Sequence, residues 1–96
     1  MSKIAQENLT KIVNQIDKTI DDLAKKESQS NDEYVRKMLK KYLRAKSDLS
    51  LKGCDVDIVN LKKLLNGARG YMERSSDYSQ RFLHEMGEAE RLIKSL

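Results

Sequence analysis

The fold class is decided by the stretch from residue 35 to residue 49, VRKMLKKYLRAKSDL. Its apolar side chains recur every three or four residues, at Val35, Met38, Tyr42, Ala45 and Leu49. This spacing places them on one face of an α-helix, while charged side chains occupy the opposite face. The stretch therefore predicts an amphipathic helix, which we expect to run over about residues 31–50.

The same period is present on the N-terminal side of this stretch. It predicts a first helix over about residues 3–26. Apolar side chains again recur at intervals of three or four residues, namely Ala5, Leu9, Ile12, Ile16, Ile20 and Leu23. Residues 27–32 contain no large apolar side chain, so we expect the first helix to end there. Ser30 and Glu33 have the spacing of a capping box, which predicts that Ser30 caps the second helix.

A turn at Gly53 separates the second helix from a third apolar stretch. Glycine suits the left-handed cap at the end of a helix, and Asp55 can cap the next helix. The three-four alternation then continues to Leu96, which is typical of helices in a bundle or coiled coil. Gly67 and Gly70 each weaken a helix by about 0.5–1 kcal/mol relative to alanine, but the register continues across them. We therefore predict one long third helix over about residues 55–95, and leave open whether it bends or breaks at Asn66–Gly70.

These helices form a single all-α domain over residues 1–96, because a chain of this length holds one core. We expect a three-helix antiparallel bundle with a long third helix. In the alternative arrangement, the first two helices join into one arm and the chain forms a long hairpin that turns at Gly53 and dimerises. A helix of about forty residues is roughly 60 Å long, so either arrangement leaves apolar surface uncovered. We therefore expect a homo-oligomer.

The composition excludes several classes of protein. Charged residues are 35% of the chain, hydrophobic residues are 39%, and no stretch is long and apolar enough to span a membrane. The N-terminus lacks the apolar region of a secretory signal peptide, and the single cysteine, Cys54, has no internal partner for a disulfide. We therefore expect a cytoplasmic protein. Export without a cleavable signal peptide remains an open alternative.

The residues of known catalytic motifs are missing. His84 is the single histidine of the chain. It begins the stretch His84-Glu85-Met86-Gly87-Glu88, which has Glu88 where the H-E-x-x-H motif of zinc proteases needs its second histidine. The chain also has no glycine-rich phosphate loop. Helical chorismate mutases have this length and fold class, but their site needs buried arginines, and every arginine here lies beyond residue 35. We expect a non-enzymatic protein with no metal and no cofactor.

The net charge of +4 comes from one segment. Residues 1–31 and residues 53–96 are each neutral, whereas residues 32–52 contain seven basic and three acidic residues. No acidic residue lies between Arg36 and Lys46. This basic face has four interpretations: a solvated face that pairs with acids of the first helix, a docking surface for an acidic protein, a nucleic-acid phosphate site, or a contact with an anionic membrane.

We predict a protein–protein interaction module, such as an adaptor, a chaperone, an immunity factor or a small regulator. Its partner is expected to be another protein with an acidic surface. The predicted binding residues are five side chains of the basic face, with two tyrosines of the third stretch that supply apolar contact: Arg36, Lys37, Lys40, Lys41, Arg44, Tyr71 and Tyr78. The alternative is a weak nucleic-acid-binding protein that uses the same basic face.

Overall fold

The computed structural model describes residues 4–74 and 81–96, except for the side chain of Arg74. The chain is all-α, as the sequence predicts, and the described residues contain no strand. The five α-helices of this part are α1 (Gln6–Gln29), α2 (Glu33–Lys52), α3 (Ile58–Leu61), α4 (Gly67–Arg74) and α5 (Arg81–Lys94). A short 3-10 turn at Gly53–Asp55 directly follows α2, and another at Lys62–Leu64 directly follows α3.

A short extended connection separates α1 from α2. Ser30 has extended backbone angles, and the Asp32 carboxylate accepts hydrogen bonds from the N–H groups of Tyr34 (2.9 Å) and Val35 (3.4 Å). Asp32 is therefore the N-cap of α2, and the prediction that Ser30 caps this helix is wrong. The Ser30 hydroxyl instead donates to the carbonyl of Lys26. The single arm of the hairpin alternative is absent, because α1 and α2 are separate helices.

Helix α1 runs antiparallel to both α2 and α5. Near the end of α1, Glu27 pairs with Arg36 near the start of α2 at 3.4 Å, and ten residues earlier Asp17 pairs with Lys46 at 2.8 Å. On the other side of α1, the buried Thr19 hydroxyl donates to the carbonyl of Glu85 on α5 at 3.1 Å. The predicted stripe of α2 is buried in full, and it packs with residues of α1 and α5 that include Ile12, Ile16, Leu23, Phe82, Met86 and Ile93.

The long third helix is not present. The segment from Gly53 to Arg74 consists of short helices, and Asn66 has a positive φ of 70° between them. The longest dimension of the chain is 39 Å, which cannot contain a straight helix of roughly 60 Å. The break also changes the register, because Tyr71 is 6% exposed whereas Met72, on the predicted stripe, is 37% exposed. The segment folds back because this buries apolar surface that one long helix would leave in water.

Two glycines allow α4 to approach its neighbours. A Cβ on Gly67 would lie 2.9 Å from both the sulfur of Met38 on α2 and the terminal methyl of Met86 on α5. A Cβ on Gly70 would overlap the hydroxyl of Tyr34 on α2. Their residue type predicts weak points in a helix, but in the structure both glycines make room for close packing.

The turn at Gly53 is where the sequence predicts it. Gly53 ends α2 with a positive φ of 55°, a conformation that glycine adopts without a steric penalty. The cap of the next helix is two residues later than predicted, since Asp57 rather than Asp55 accepts the hydrogen bond from the N–H of Val59. The turn is joined to the N-terminus by a hydrogen bond from the Ile4 N–H to the carbonyl of Cys54 at 3.2 Å.

Candidate functional site

The basic face predicted on α2 lies at the surface. Lys37, Lys40, Lys41 and Arg44 are exposed, and Arg36 is half-buried. The helix presents these side chains outward because its apolar stripe is held in the core on the opposite side. The structure therefore brings these five predicted residues together on one helix.

Ion pairs with α1 neutralise the two ends of this face. Arg36 pairs with Glu27 at 3.4 Å, and its guanidinium also donates to the side-chain oxygen of Asn31 at 2.5 Å. Lys46 pairs with Asp17 at 2.8 Å, and this hydrogen bond, together with the charge of Asp17, raises the pKa of Lys46. Pairing with acids of the first helix, one of the four interpretations of the basic face, therefore applies to Arg36 and Lys46 at its two ends.

The middle of the face remains unneutralised. Within residues 4–74 and 81–96, no acidic group forms an ion pair with Lys37, Lys40, Lys41 or Arg44. We call these four residues the basic surface. Like charges one helical turn apart repel each other by a few tenths of a kcal/mol per pair. The basic surface therefore carries a repulsion that no ion pair in the described part of the chain offsets, and the acids one turn from its two ends are Glu33 and Asp48.

Two open clefts border the basic surface. The first cleft has a volume of about 440 Å³ and is lined by residues of α2, namely Glu33, Tyr34, Arg36, Lys37 and Lys40. The second cleft, of about 570 Å³, lies between α2 and the segment after Gly53, and its lining residues are Lys41, Arg44, Asp48, Asn60, Lys63 and Leu64. Both clefts are open and lined mostly by residues with charged or polar side chains, which suits an extended partner surface better than an enclosed small molecule.

Lys63 is the residue that sequence reasoning missed. It is exposed on the 3-10 turn Lys62–Leu64, beside Lys41 and Arg44 in the second cleft. The predicted continuous third helix gives no reason to expect Lys63 beside Lys41 and Arg44. Residue type does not single it out either, because the neighbouring Lys62 has the same charge. Only the break of that helix distinguishes the two lysines, so no local signal in the sequence identifies Lys63.

Tyr71, one of the two tyrosines predicted to add apolar contact, does not lie at the surface. Tyr71 is buried, with its ring 4.9 Å from that of Phe82 in an edge-to-face arrangement and 6.1 Å from that of Tyr34. The prediction of Tyr71 as a binding residue is therefore wrong, because the fold places this ring in the core. Tyr78 lies outside the described residues.

Other reactive groups are dispersed over the molecule. Among the described residues, no three histidine, cysteine or acidic side chains are grouped as metal ligands would be. His84 is exposed, and the half-buried Cys54 has its sulfur 3.5 Å from the side-chain oxygen of Gln6. In residues 4–74 and 81–96, none of the helices combines the length and apolar character needed to cross a bilayer.

Comparison with known proteins identifies the family. A family model described as YeeD uncharacterised protein matches residues 5–96, so the chain belongs to this family. No curated protein and no solved structure matches the chain. The description of the family names no activity, and the function has to be argued from the surface of the chain itself.

Proposed function

We propose that this member of the YeeD family is a non-enzymatic interaction module that binds an acidic surface of another protein. The basic surface of Lys37, Lys40, Lys41 and Arg44 is the binding site. One observation carries the proposal: these four cations are exposed without an ion-pair partner in the described part of the chain, whereas Arg36 and Lys46 beside them are paired.

The energetics favour a partner that supplies the missing negative charge. Cations of the basic surface that lie one turn apart, among Lys37, Lys40, Lys41 and Arg44, repel each other, and this repulsion is relieved when carboxylates lie against them. Each exposed ion pair contributes about 1 kcal/mol or less, so affinity requires several pairs at once. Complementary charge also accelerates association, because it steers the two proteins toward each other before contact. An adaptor, a chaperone, an immunity factor and a small regulator can all use such a surface.

The aromatic residues of α2 favour a protein over a nucleic acid. Binding of single strands relies on exposed aromatic rings on which bases stack. Tyr42 is 0% exposed, and Tyr34 is half-buried with its hydroxyl donating to the carbonyl of Gly67 at 2.8 Å. The basic surface therefore offers charge without a stacking ring from either tyrosine, and nucleic-acid binding would depend on phosphate contacts alone.

The first experiment compares two changes that each remove one positive charge from α2. Lys40→Gln removes an unpaired cation, whereas Lys46→Gln, the matched control, removes a cation already neutralised by Asp17. The probes are a labelled oligoglutamate peptide, duplex DNA and single-stranded RNA, measured by fluorescence anisotropy at low and physiological salt. We expect the peptide to bind and Lys40→Gln to weaken its binding more than Lys46→Gln does.

The other outcomes decide against the proposal. Equal losses for the two variants would show that net charge matters and the basic surface does not. Binding of DNA or RNA that is tighter than peptide binding, with the same sensitivity to Lys40→Gln, would favour the nucleic-acid alternative. Absence of saturable binding to every probe would overturn both functions.

Self-association and a cytoplasmic location belong to the same proposal. Leu51 is 81% exposed and Val59 is 69% exposed, so apolar side chains are available on both sides of the turn at Gly53 for contact with a second copy. The solution mass, measured with and without reductant because Cys54 can form an intermolecular disulfide, tests this expectation. A strict monomer across a wide concentration range would contradict it.

A further inference from the structure

We propose that the second cleft anchors an acidic peptide segment of the partner, and that Lys63 is a binding residue equal in importance to Lys41 and Arg44. This inference rests on the proposed function, which it extends from one helix face to a site built by two parts of the chain. The segment would lie in the space of about 570 Å³ between α2 and the residues around Lys62–Leu64.

Three cations converge on this cleft from two directions. Lys41 and Arg44 lie on the flank of α2 that faces away from α1, and Lys63 approaches from the opposite wall. None of the three forms an ion pair in the part of the chain that the structure describes. Their positive charges repel each other across the opening, so an anion between them is stabilised by all three at once.

The geometry of these donors suits carboxylates. The planar guanidinium of Arg44 can hold a carboxylate with two parallel hydrogen bonds, and the lysines contribute point charges that adapt to its position. All three cations are exposed, so a single ion pair here contributes about 1 kcal/mol or less and binding requires several pairs at once. We therefore expect one or two acidic side chains of the partner to lie here.

The remaining lining residues select a peptide over a phosphate chain. Asp48 places a carboxylate in the same cleft, where it can accept hydrogen bonds from the backbone N–H groups of a peptide, donors that a phosphate chain lacks. The amide of Asn60 can both donate and accept, as a peptide bond requires. The apolar Leu64 forms part of the wall. This mixture of three cations, one anion and one amide complements an acidic segment with a free backbone.

The test uses the two neighbouring lysines as a matched pair. Lys63→Glu and Lys62→Glu change the net charge equally and lie on the same exposed turn, but only Lys63 lines the cleft. We expect Lys63→Glu to weaken binding of the labelled oligoglutamate peptide about three- to tenfold more than Lys62→Glu does. Circular dichroism checks that both variants are folded, and Lys63→Gln with Lys62→Gln replaces the pair if either glutamate variant is not.

The results separate this inference from the proposed function. If Lys63 and Lys62 variants lose affinity equally while Lys40→Gln still weakens binding, the basic surface binds the peptide and the second cleft does not. If no variant and no wild-type chain binds the peptide, both proposals are overturned. Inorganic phosphate that displaces the peptide at an ionic strength where sodium chloride does not would assign the cleft to a phosphoryl group and overturn the peptide assignment.

Discussion

The carboxylate of Glu90 on α5 accepts a hydrogen bond from the backbone N–H of Ala68 in the first turn of α4, with the two heavy atoms 3.0 Å apart. Its other oxygen accepts from the N–H of Asn66 at 2.9 Å. The first N–H groups of a helix have no partner within it, and a negative charge is favoured at this end. Glu90 therefore caps α4 across the tertiary structure, although the two helices are far apart in sequence.

Removal of this cap is expected to destabilise the fold. Glu90→Ala leaves two backbone N–H groups without their acceptor, and we expect the free energy of unfolding to fall by about 1–3 kcal/mol. Urea denaturation measures this change. The control is Glu88→Ala, which removes a surface pair with Arg91 on the same helix and should cost less than about 0.5 kcal/mol. Equal losses for the two variants would contradict the role of Glu90 as a cap.

Two glycine substitutions should have opposite effects. In Gly70→Ala the new methyl group meets the Tyr34 hydroxyl, which is held by its hydrogen bond to Gly67, so we expect a loss of about 1–3 kcal/mol. In Gly87→Ala the methyl group enters open space within α5, and the better helix propensity should add about 0.5–1 kcal/mol. Thermal or urea unfolding distinguishes the two signs, and a stabilising Gly70→Ala would show that α4 does not approach α2 this closely.

Tyr42 and Tyr34 should respond differently to loss of their hydroxyl groups. The hydroxyl of Tyr42 is buried and has no hydrogen-bond partner among the described residues, so Tyr42→Phe should raise the free energy of unfolding by about 1 kcal/mol at neutral pH. Tyr34→Phe loses a hydrogen bond of 2.8 Å to Gly67 and should lower it by a similar amount. Denaturant titration of both variants checks the contrast, and a destabilised Tyr42→Phe would reveal a partner for that hydroxyl.

The buried hydroxyl of Tyr42 also predicts a loss of stability at alkaline pH. Burial, with the nearby charge of Glu90 as a smaller cause, raises the pKa of Tyr42 above its ordinary value of about 10. Above this pH the unfolded chain loses the proton that the folded chain keeps, so the free energy of unfolding falls by about 1.4 kcal/mol per pH unit. Tyr42→Phe lacks this contribution. Stability curves of the wild type and the variant that stay parallel above pH about 10 would contradict the prediction.

Reversal of one charge on the basic surface should stabilise the free protein. Lys40→Glu replaces the repulsions with Lys37 and Arg44, and with the already paired Arg36, by attractions one turn apart, for a gain of about 0.5–1 kcal/mol. Lys62→Glu is the control, because no charged residue lies three or four positions from it, and it should change stability by less than about 0.5 kcal/mol. The gain should shrink in high salt, since ions screen exposed charges. A gain that is absent at low salt would mean that the surface is already neutralised.

Local pattern was sufficient for the class of fold and for α2. The stripe from Val35 to Leu49 is buried as predicted, and Gly53 ends the helix with the positive φ that its residue type favours. The positions of the basic side chains followed from the same periodicity, because a helix with one buried face exposes the other. The capping residues were less predictable, because several polar residues near the start of each helix can act as the N-cap. In the structure Asp32 caps α2 where Ser30 was predicted, and Asp57 caps α3 where Asp55 was predicted.

The third segment shows where local pattern fails. Its unbroken three-four alternation predicted a continuous helix, but Asn66 turns the chain and α4 packs beside α5. The break is stabilised by Glu90 and by the close approach of α4 to Tyr34, Met38 and Met86 at Gly67 and Gly70. Glu90 and the three side chains that α4 approaches are distant from Asn66 in sequence, so local periodicity does not reveal these contacts. The burial of Tyr71 and the position of Lys63 both follow from this break.

Residue type and spacing alone predict that the chain is helical, where α1 and α2 lie, and that the excess positive charge belongs to one helix face. These properties depend on residue type and spacing within a few turns, which are local quantities. The tertiary structure decided where the third segment breaks, which cations are paired and which lysine joins the cleft. Those outcomes depend on which distant groups come into contact, such as Glu90 with Ala68 or Asp17 with Lys46, and helical periodicity contains no information about distant contacts.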